Sequence, residues 1–268
     1  MQRAIVYQTR TNMPKTGIIM NPVAEGLKRS GFDVVIRESM EYPRGDESSF
    51  DLGAVWGDTA KSLDILASQR IFRLLLNIDN AYLNRKRYEG HYAISWGGQR
   101  QCHEYLWSIP QSPERFAALH EEIKPWRFDG TDILVLAPSM KQGKILGFEV
   151  NQWARQVSGQ IQRHTKKRVV VRIKRYNVDE PLRDVLRREP IFAAVGYNTK
   201  GLVECLLEGI PVFSLGPCVT ERMGKSDLSQ VNFPLYPSNR VEFFERLANT
   251  QWLLSEIAEG LPFQKGLL

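Results

Sequence analysis

The chain has 268 residues, which is enough for two compact domains of ordinary size, each with its own apolar core. Its 43% hydrophobic and 25% charged residues are typical of a soluble globular protein. The sequence contains no run of about 18 apolar residues, which excludes a membrane-spanning helix. Residues 1–7 enter a strand pattern almost directly, with no room for a secretion signal, so we expect a cytoplasmic protein.

The net charge of +6 is concentrated in one segment. Residues 163–188 contain ten Lys or Arg against three Asp or Glu, a local net charge of +7, whereas the rest of the chain sums to −1. A localised basic face suits a polyanionic partner or the phosphates of a nucleotide. The alternative is a solvated face of a helix and its loops.

The cysteines and histidines do not form a recognisable metal or disulfide pattern. Three cysteines at wide spacing argue against a disulfide framework and against a zinc site. The four histidines show no pairing at metal-ligand spacing, and no paired Asp motif is evident. We therefore expect no metal site and metal-independent chemistry.

The first half of the chain alternates strand and helix patterns. Apolar runs at 3–7 and 33–37 predict two strands, and the segment 23–29, ended by Ser30 and Gly31, predicts the helix between them. Such a βαβ unit takes a right-handed crossover by default, which gives parallel strands.

Two further strands in this half each lead to an acidic residue. The run 52–56 is followed by Asp58, which opens a helix at 61–70, and the run 73–78 is followed by Asp79. Both carboxylates are therefore expected just past the carboxyl end of a strand. The structural alternatives are a helix cap for Asp58 and a turn residue for Asp79.

The second half repeats the pattern. A helix is predicted at 113–123, and 124–130 has the composition of a linker. A new first strand at 132–138 is followed by a polar, glycine-containing turn at 139–144 and a helix at 147–164. The repetition predicts two similar halves.

Residues 193–216 are the most informative stretch. An apolar run ends in a polar turn, a helical repeat follows until Gly209, and a second apolar run comes next: strand, helix, strand. In an open parallel sheet this arrangement places Asn198, Thr199 and Gly201 at the carboxyl end of a strand and at a helix N-terminus. Ligands, and phosphates in particular, bind at such places.

This stretch resembles the donor-binding block of glycosyltransferases with the two-domain GT-B fold. It is similar to the block of Kdo- and capsule-type transferases and of phage DNA-modifying enzymes of similar build, and the resemblance covers 193–218. It implies an α/β protein with two Rossmann-like domains facing a cleft. The expected divisions are an acceptor domain at 1–127, a donor domain at 128–245, and a C-terminal helix at 246–268 that packs back toward the first domain.

The resemblance also implies roles for residues of the second half. Glu204 would hold the donor ribose, while the turn residues face the phosphates or the sugar. The strand 168–175 matches a donor-facing strand of the Kdo-type enzymes but lacks their His-Pro, so the donor stays open. A plain solvent loop is the alternative for the turn at 139–144. The predicted donor-binding residues are Ser139, Lys141, Arg172, Lys174, Asn198, Thr199, Gly201 and Glu204.

The first half would supply the catalytic base and the acceptor surface. In inverting GT-B enzymes an Asp or Glu of the first domain deprotonates the acceptor hydroxyl, and Asp58 and Asp79 are the two candidates. The segment 82–100 interleaves cationic and aromatic side chains, which suits contact with phosphates, bases or sugars, although core packing and a structural histidine are the alternatives. The predicted acceptor-binding residues are Arg85, Tyr88, His91 and Trp96.

The sequence therefore predicts a glycosyltransferase that uses a nucleotide-sugar as co-substrate and no cofactor. The leading acceptor is hydroxymethylated pyrimidine in DNA, because the chain is short and basic on one face, and DNA is then a partner. A capsule or lipopolysaccharide glycan is the main alternative acceptor. A non-catalytic nucleotide- or nucleic-acid-binding protein on the same scaffold is the other alternative.

Overall fold

The computed structural model of the chain describes residues 1–9, 14–57, 60–68, 71–84, 89–96, 103–173, 180–216 and 218–264. The chain divides into two compact units. The first comprises Met1–Tyr105 and Leu247–Leu268, and the second comprises Leu106–Arg246. The segment 124–130, predicted to be a linker, therefore lies in the second unit.

The described elements alternate along most of the chain. The strands are β1 (Arg3–Gln8), β2 (Asp33–Glu38), β3 (Leu52–Trp56), β4 (Leu74–Asn80), β5 (Tyr92–Trp96), β6 (Asp132–Ala137), β7 (Arg168–Ile173), β8 (Ile191–Gly196), β9 (Val212–Ser214), β10 (Gly224–Lys225) and β11 (Gln251–Trp252). The helices are α1 (Pro14–Arg29), α2 (Ala60–Ala67), α3 (His103–Ser108), α4 (Pro113–Ala118), α5 (Met140–Leu146), α6 (Val150–Gln162), α7 (Leu182–Arg188), α8 (Gly201–Leu207), α9 (Arg240–Ala248), α10 (Leu254–Ala258) and α11 (Leu261–Gln264).

The first unit contains a six-stranded sheet in the order β11-β5-β4-β3-β1-β2. Strands β1 to β4 are parallel, β5 is antiparallel to β4, and β11 is antiparallel to β5. Because β2 and β3 lie on opposite sides of β1, the direction of winding reverses between β1 and β3. A ligand crevice is expected at the carboxyl ends of strands at such a point.

Alternation along the strands builds the core of this unit. Ile5 and Tyr7 of β1, Val55 of β3 and Leu75 of β4 pack in one cluster with Ile65 of α2. These side chains share one face of the sheet because side chains alternate sides with a period of two residues. The cluster packs α2 against this face of the sheet.

The end of the chain completes the first unit. Strand β11 pairs with β5, and α10 and α11 contact α1. A Cβ atom on Gly26 of α1 would lie 1.9 Å from the carbonyl oxygen of Ile257, so only glycine permits this approach of α10. The last described residues are therefore integral to the first unit's packing.

The second unit contains a five-stranded parallel sheet in the order β10-β9-β8-β6-β7. Ile133, Val135 and Val195 of its central strands pack against Val157 and Ile161 of α6. The continuous apolar runs of β6 and β8 arise because these strands are covered on both faces, as in other parallel sheets. Because β7 and β8 lie on opposite sides of β6, the direction of winding reverses between β6 and β8.

Several predicted elements differ from the observed ones. The helix predicted at 23–29 begins at Pro14, and the helix predicted at 113–123 ends at Ala118. The predicted turn at 139–144 lies mostly in α5, because the Ser139 hydroxyl caps this helix by accepting from the Gln142 N–H at 3.2 Å. Strand β4 continues through Asp79 and Asn80, which were expected after its end, because both residues pair with β5. In the part of the chain that the structure describes, no helix combines the length and the apolar character needed to cross a bilayer.

Candidate functional site

The carboxyl ends of β6 and β8 form the first part of the candidate site. These two strands are neighbours in register, with Leu136 opposite Gly196, and the chain leaves them to opposite sides of the sheet. The turn after β6 leads into α5, and the turn after β8 leads into α8. Two turns that begin side by side at a reversal of winding are where doubly wound sheets bind nucleotides.

The turn after β8 is tight. Asn198 has a φ of 42°, a left-handed conformation that asparagine tolerates better than most residues. The Thr199 hydroxyl accepts from the Gly201 N–H at 3.3 Å. A Cβ on Gly196 would lie 2.7 Å from the Thr199 side chain, so β8 has to end in glycine for the turn to close in this way. The predicted residues 198, 199 and 201 therefore lie together in one compact turn.

A side chain connects this turn to the one after β6. The Gln142 side-chain amide donates to the backbone carbonyl of Asn198 at 3.4 Å. Ser139 lies at the start of α5, so the predicted donor residues 139 and 198 belong to adjoining turns. Lys141 lies in α5, and its side chain is outside the described part of the structure. Sequence reasoning missed Gln142, because a glutamine in a predicted solvent turn gives no recognisable signal.

Glu204 lies one turn into α8 and is buried, with 8% of its surface exposed. Every residue of this seven-residue helix is buried. A ligand can reach the carboxylate only through the small exposed part. Contact of Glu204 with a ribose stays a prediction.

Of the two basic residues predicted to bind the donor from β7, the structure describes only Arg172. The Arg172 guanidinium is half-buried and donates to the backbone carbonyl of Glu180, which ties the end of β7 to the segment before α7. Lys174 lies outside the described residues. Donor contacts of both residues stay predictions.

Three half-buried aromatic rings flank the turn after β8. The Tyr197 ring lies 5.6 Å from the Phe148 ring and 6.4 Å from the Trp153 ring, centroid to centroid. A Cβ on Gly216 would lie 2.5 Å from the Tyr197 ring, so this glycine makes room for the ring beside the end of β9. The sequence analysis did not single out these aromatics, because their spacing is also that of ordinary core residues.

The candidate base Asp79 lies at the carboxyl end of β4, which neighbours β3 on the side away from the reversal of winding in the first sheet. Asp79 is 9% exposed, and its Oδ1 accepts from the Asn80 backbone N–H at 2.7 Å. Asn77 lies two residues earlier on the same face and is 2% exposed, and its Oδ1 has no hydrogen-bond partner among the described residues. A buried, unsatisfied amide oxygen beside a buried carboxylate is unusual in a native core. Asp58, the other candidate base, lies outside the described residues.

The described residues of the predicted acceptor surface belong to the sheet framework. The backbone of His91 accepts from the Ala81 N–H and donates to the Asn84 carbonyl, both at 3.3 Å. The Trp96 ring is half-buried and lies 4.7 Å from the Tyr105 ring. These positions fit the alternatives of a structural histidine for His91 and core packing for Trp96. Arg85 and Tyr88 lie outside the described residues, and the four acceptor contacts stay predictions.

The basic segment 163–188 is partly neutralised within the second unit. Arg168 pairs with Asp132, and Arg183 and Arg187 both pair with Glu208, which is 1% exposed. Arg188 pairs with glutamates 180 and 189. At least four cations of this segment therefore have carboxylate partners, which reduces the field that a polyanion would meet.

Two cavities lie at the opposite, amino-terminal edge of the second sheet. One of about 870 Å³ is lined by residues 124–129 with Arg187 and Glu208. Another of about 650 Å³ is lined by residues around the starts of β6 and β7. Neither is lined by a predicted donor residue. Among the described side chains, no group of three His, Cys, Asp or Glu is placed to hold a metal ion.

Solved structures of two bacterial enzymes are similar to the chain over almost its whole length. The Thermosulfurimonas dismutans KpsC beta Kdo 2,4 transferase is 10% identical, with 91% of this chain and 89% of that chain covered and a TM-score of 0.56. The KpsC beta Kdo 2,7 transferase from the same organism is 13% identical, with 98% and 100% covered and a TM-score of 0.54. The chain has the GT-B fold.

The predicted fold class, two Rossmann-like α/β domains, is thereby confirmed. No protein-family model and no curated protein matches the sequence. At 10% and 13% identity, the structural likeness shows the fold alone.

Proposed function

We propose that this protein is a glycosyltransferase that binds a nucleotide-sugar at the carboxyl ends of β6 and β8. The observation that carries the proposal is the pair of adjoining turns at the reversal of winding, joined by the Gln142–Asn198 hydrogen bond. The fold supports it, because the two similar structures are named Kdo transferases.

The donor's diphosphate is assigned to the two turns. Backbone N–H groups at the start of α5, with the Thr199 hydroxyl and Lys141, are assigned as its donors, because the first N–H groups of α8 already donate to Thr199 and Lys200. Arg172 and Lys174 add positive charge from the end of β7. Positioning the donor and neutralising the leaving diphosphate would supply most of the rate acceleration, without a metal ion or other cofactor.

Glu204 is assigned to the ribose and the aromatic rings to the base. A carboxylate accepts hydrogen bonds from two ribose hydroxyls. The half-buried rings of Phe148, Trp153 and Tyr197 offer an apolar surface beside the turn after β8. The sugar would then project from the carboxyl edge of the sheet.

Asp79 is the preferred catalytic base among the described residues. Its carboxylate lies at the carboxyl end of β4, and the neighbouring Asn77 Oδ1 can accept a hydrogen bond from a bound hydroxyl. If the reaction inverts the anomeric carbon, Asp79 takes the proton of the acceptor hydroxyl as that oxygen attacks. Asp58 remains the rival candidate.

A bacterial glycan is the acceptor that the observations favour. The similar structures are named Kdo transferases, and the cations of 163–188 are partly neutralised by carboxylates. Hydroxymethylated DNA, the leading acceptor in the sequence analysis, has no support from these features and stays a prediction.

A transfer assay tests the proposal. The full chain is incubated with nucleotide-sugars, including CMP-Kdo, and with either capsule-type oligosaccharides or hydroxymethylated duplex DNA, and products are identified by mass spectrometry. We expect transfer to a glycan, with kcat/KM lowered at least about tenfold by Glu204→Gln. Glu245→Gln, a half-buried glutamate of α9, is the matched control.

Each other result has a defined meaning. Transfer to DNA would replace the glycan acceptor by the DNA acceptor. Binding of a nucleotide-sugar without turnover, unchanged by Asp58→Asn and Asp79→Asn, would establish the non-catalytic alternative. No binding of any nucleotide-sugar would overturn the proposal.

A further inference from the structure

The cavity of about 870 Å³ has no role in the proposed reaction. Residues 124–129 of its lining precede β6, Arg187 lies in the last turn of α7 and Glu208 follows α8, so the cavity is at the amino-terminal edge of the second sheet. The proposed donor residues lie at the carboxyl edge. Its volume is within the range of cavities that bind small molecules or short oligomers.

Trp126 and Phe128 line this cavity, and the Tyr236 ring packs against both; we call these three rings the aromatic shelf. The Phe128 and Tyr236 rings lie 4.8 Å apart, and the Trp126 and Tyr236 rings 5.4 Å apart. Phe128 is 68% exposed. An exposed phenylalanine that packs on the Tyr236 ring is an apolar surface that water solvates poorly, and such surfaces mark binding sites.

The shelf is held rigidly. The backbone N–H groups of Lys124 and Arg127 donate to the carbonyls of Leu207 and Gly209, each at 2.8 Å, which fixes both sides of Trp126 to the end of α8. The Arg240 guanidinium stacks 3.8 Å from the Trp126 ring centre. A preformed surface binds its ligand with little loss of conformational entropy.

Polar groups surround the shelf with nearly balanced charge. The lining contains three cations, Lys124, Arg127 and Arg187, and two acids, Asp129 and Glu208. Arg187 is half-exposed and donates to Glu208 at 2.9 Å, and Arg127 donates to a backbone carbonyl at 2.6 Å. Glu208 is 1% exposed, so the exposed Asp129 is the acceptor, and Arg187 a donor, that a ligand's hydroxyl groups can reach.

We propose that this cavity is a second, non-catalytic glycan-binding site, in which a pyranose ring of an oligosaccharide stacks on Phe128. A pyranose has an apolar face of C–H groups for the ring and a rim of hydroxyls for the charged side chains. A single-stranded nucleic acid would also stack, but it requires a strongly positive surface. The near-balanced lining favours the glycan. This site goes beyond the proposed transfer reaction, since it would hold a sugar chain at the edge of the sheet away from the donor.

Binding to immobilised glycans tests the proposal. The full chain, Phe128→Ala and Phe233→Ala are applied to a panel of neutral and acidic bacterial oligosaccharides, with a thymidine oligonucleotide as a further arm, and affinities for bound glycans are measured by calorimetry. Phe233 is the matched control, because it is 74% exposed in the same unit and does not line the cavity. We expect Phe128→Ala to weaken glycan binding about tenfold, as the loss of one stacked ring implies, and Phe233→Ala to leave it unchanged.

Three results would overturn the proposal: no glycan bound by the full chain, equal affinity for Phe128→Ala and the unmodified chain, or binding of the oligonucleotide in place of glycans. Sugar transfer to a monosaccharide acceptor is measured on the same preparations, and we expect Phe128→Ala to leave its kcat unchanged. Glycan binding by a chain without transferase activity would leave this site standing and the proposed function rejected, so the two failures are distinguishable.

Discussion

The side chain of Gln142 donates a hydrogen bond to the backbone carbonyl of Asn198, a residue 56 positions further along the chain. The bond joins the first turn of helix α5, which follows β6, to the turn after the neighbouring strand β8. Asn198 is held in the left-handed region at the same point. The geometry of the proposed diphosphate site therefore depends on a contact between two turns.

Gln142→Ala should weaken nucleotide-sugar binding. Loss of one neutral hydrogen bond is worth about 0.5–1.5 kcal/mol, which corresponds to an affinity about two- to tenfold lower. Calorimetry with the donor found in the transfer assay measures the change. Gln160→Ala, at an exposed position of α6, is the control. An unchanged affinity for Gln142→Ala would show that the bond does not organise the donor site.

Asp79→Asn should slow sugar transfer and leave donor binding intact. The amide retains an oxygen for the Asn80 N–H but cannot take up a proton, so we expect kcat to fall about 10²- to 10⁴-fold. The control is Asp64→Asn on α2, because Asp64 is largely exposed. Full activity of Asp79→Asn would remove Asp79 as the base and leave Asp58.

Gly209→Ala should destabilise the second unit much more than Gly147→Ala. Both glycines have a φ of 76°, so both substitutions incur the same left-handed strain, about 1–2 kcal/mol. A Cβ on Gly209 would lie 1.9 Å from the Pro125 carbonyl oxygen, whereas at Gly147 nothing lies within 4 Å. Urea unfolding should show an additional loss of about 1–3 kcal/mol at position 209. Equal losses would mean that residues 124–127 can move away from α8.

Glu208→Gln should lower stability at neutral pH and much less in acid. Burial raises the pKa of Glu208, but hydrogen bonds from Arg187 and Arg183 outweigh this and leave the pKa below its ordinary value of 4.5. A lowered folded-state pKa gives stability that is present above 4.5 and is lost as the pH falls through the folded-state value.

Urea unfolding of both proteins from about pH 7 down to about pH 3 measures this difference. We expect about 2 kcal/mol at pH 7, since hydrogen bonds to charged groups are involved, and a progressively smaller difference below about pH 4.5. Glu242→Gln is the control, because its pairing with Arg246 is within one helix and partly exposed. A difference that stays constant with pH would contradict a role of the ionised carboxylate.

Elements with a strong apolar pattern could be predicted from the sequence. Strands β1, β3 and β8 lie at the predicted apolar runs. Their own residues are mostly apolar and buried, so the local sequence carries the signal for each strand. The turn at 198–201 could also be predicted, since asparagine and glycine suit its backbone. The repeated order of these elements predicted two similar halves, and the resemblance of residues 193–218 to GT-B enzymes implied the fold class.

Features that depend on distant contacts could not be predicted. Strand β11 has two residues and exists only because β5 is next to it, so the sequence indicated a helix there. Asp79 lies inside β4, since the partner strand extends the ladder beyond the apolar run. The aromatic shelf depends on the approach of Pro125 to Gly209, and a local pattern contains no information about that contact.

The division of the chain has a consequence for synthesis. The second unit is one continuous segment, whereas the first needs residues from both sides of it. On the ribosome, β1 to β5 emerge first. Strand β5 is paired on its outer edge only after β11 has emerged, and helix α1 is covered only after α10 has emerged. We therefore expect the second unit to reach its native state earlier in translation, and nascent chains that stop after residue 246 to expose the α1 surface around Gly26 to chaperones.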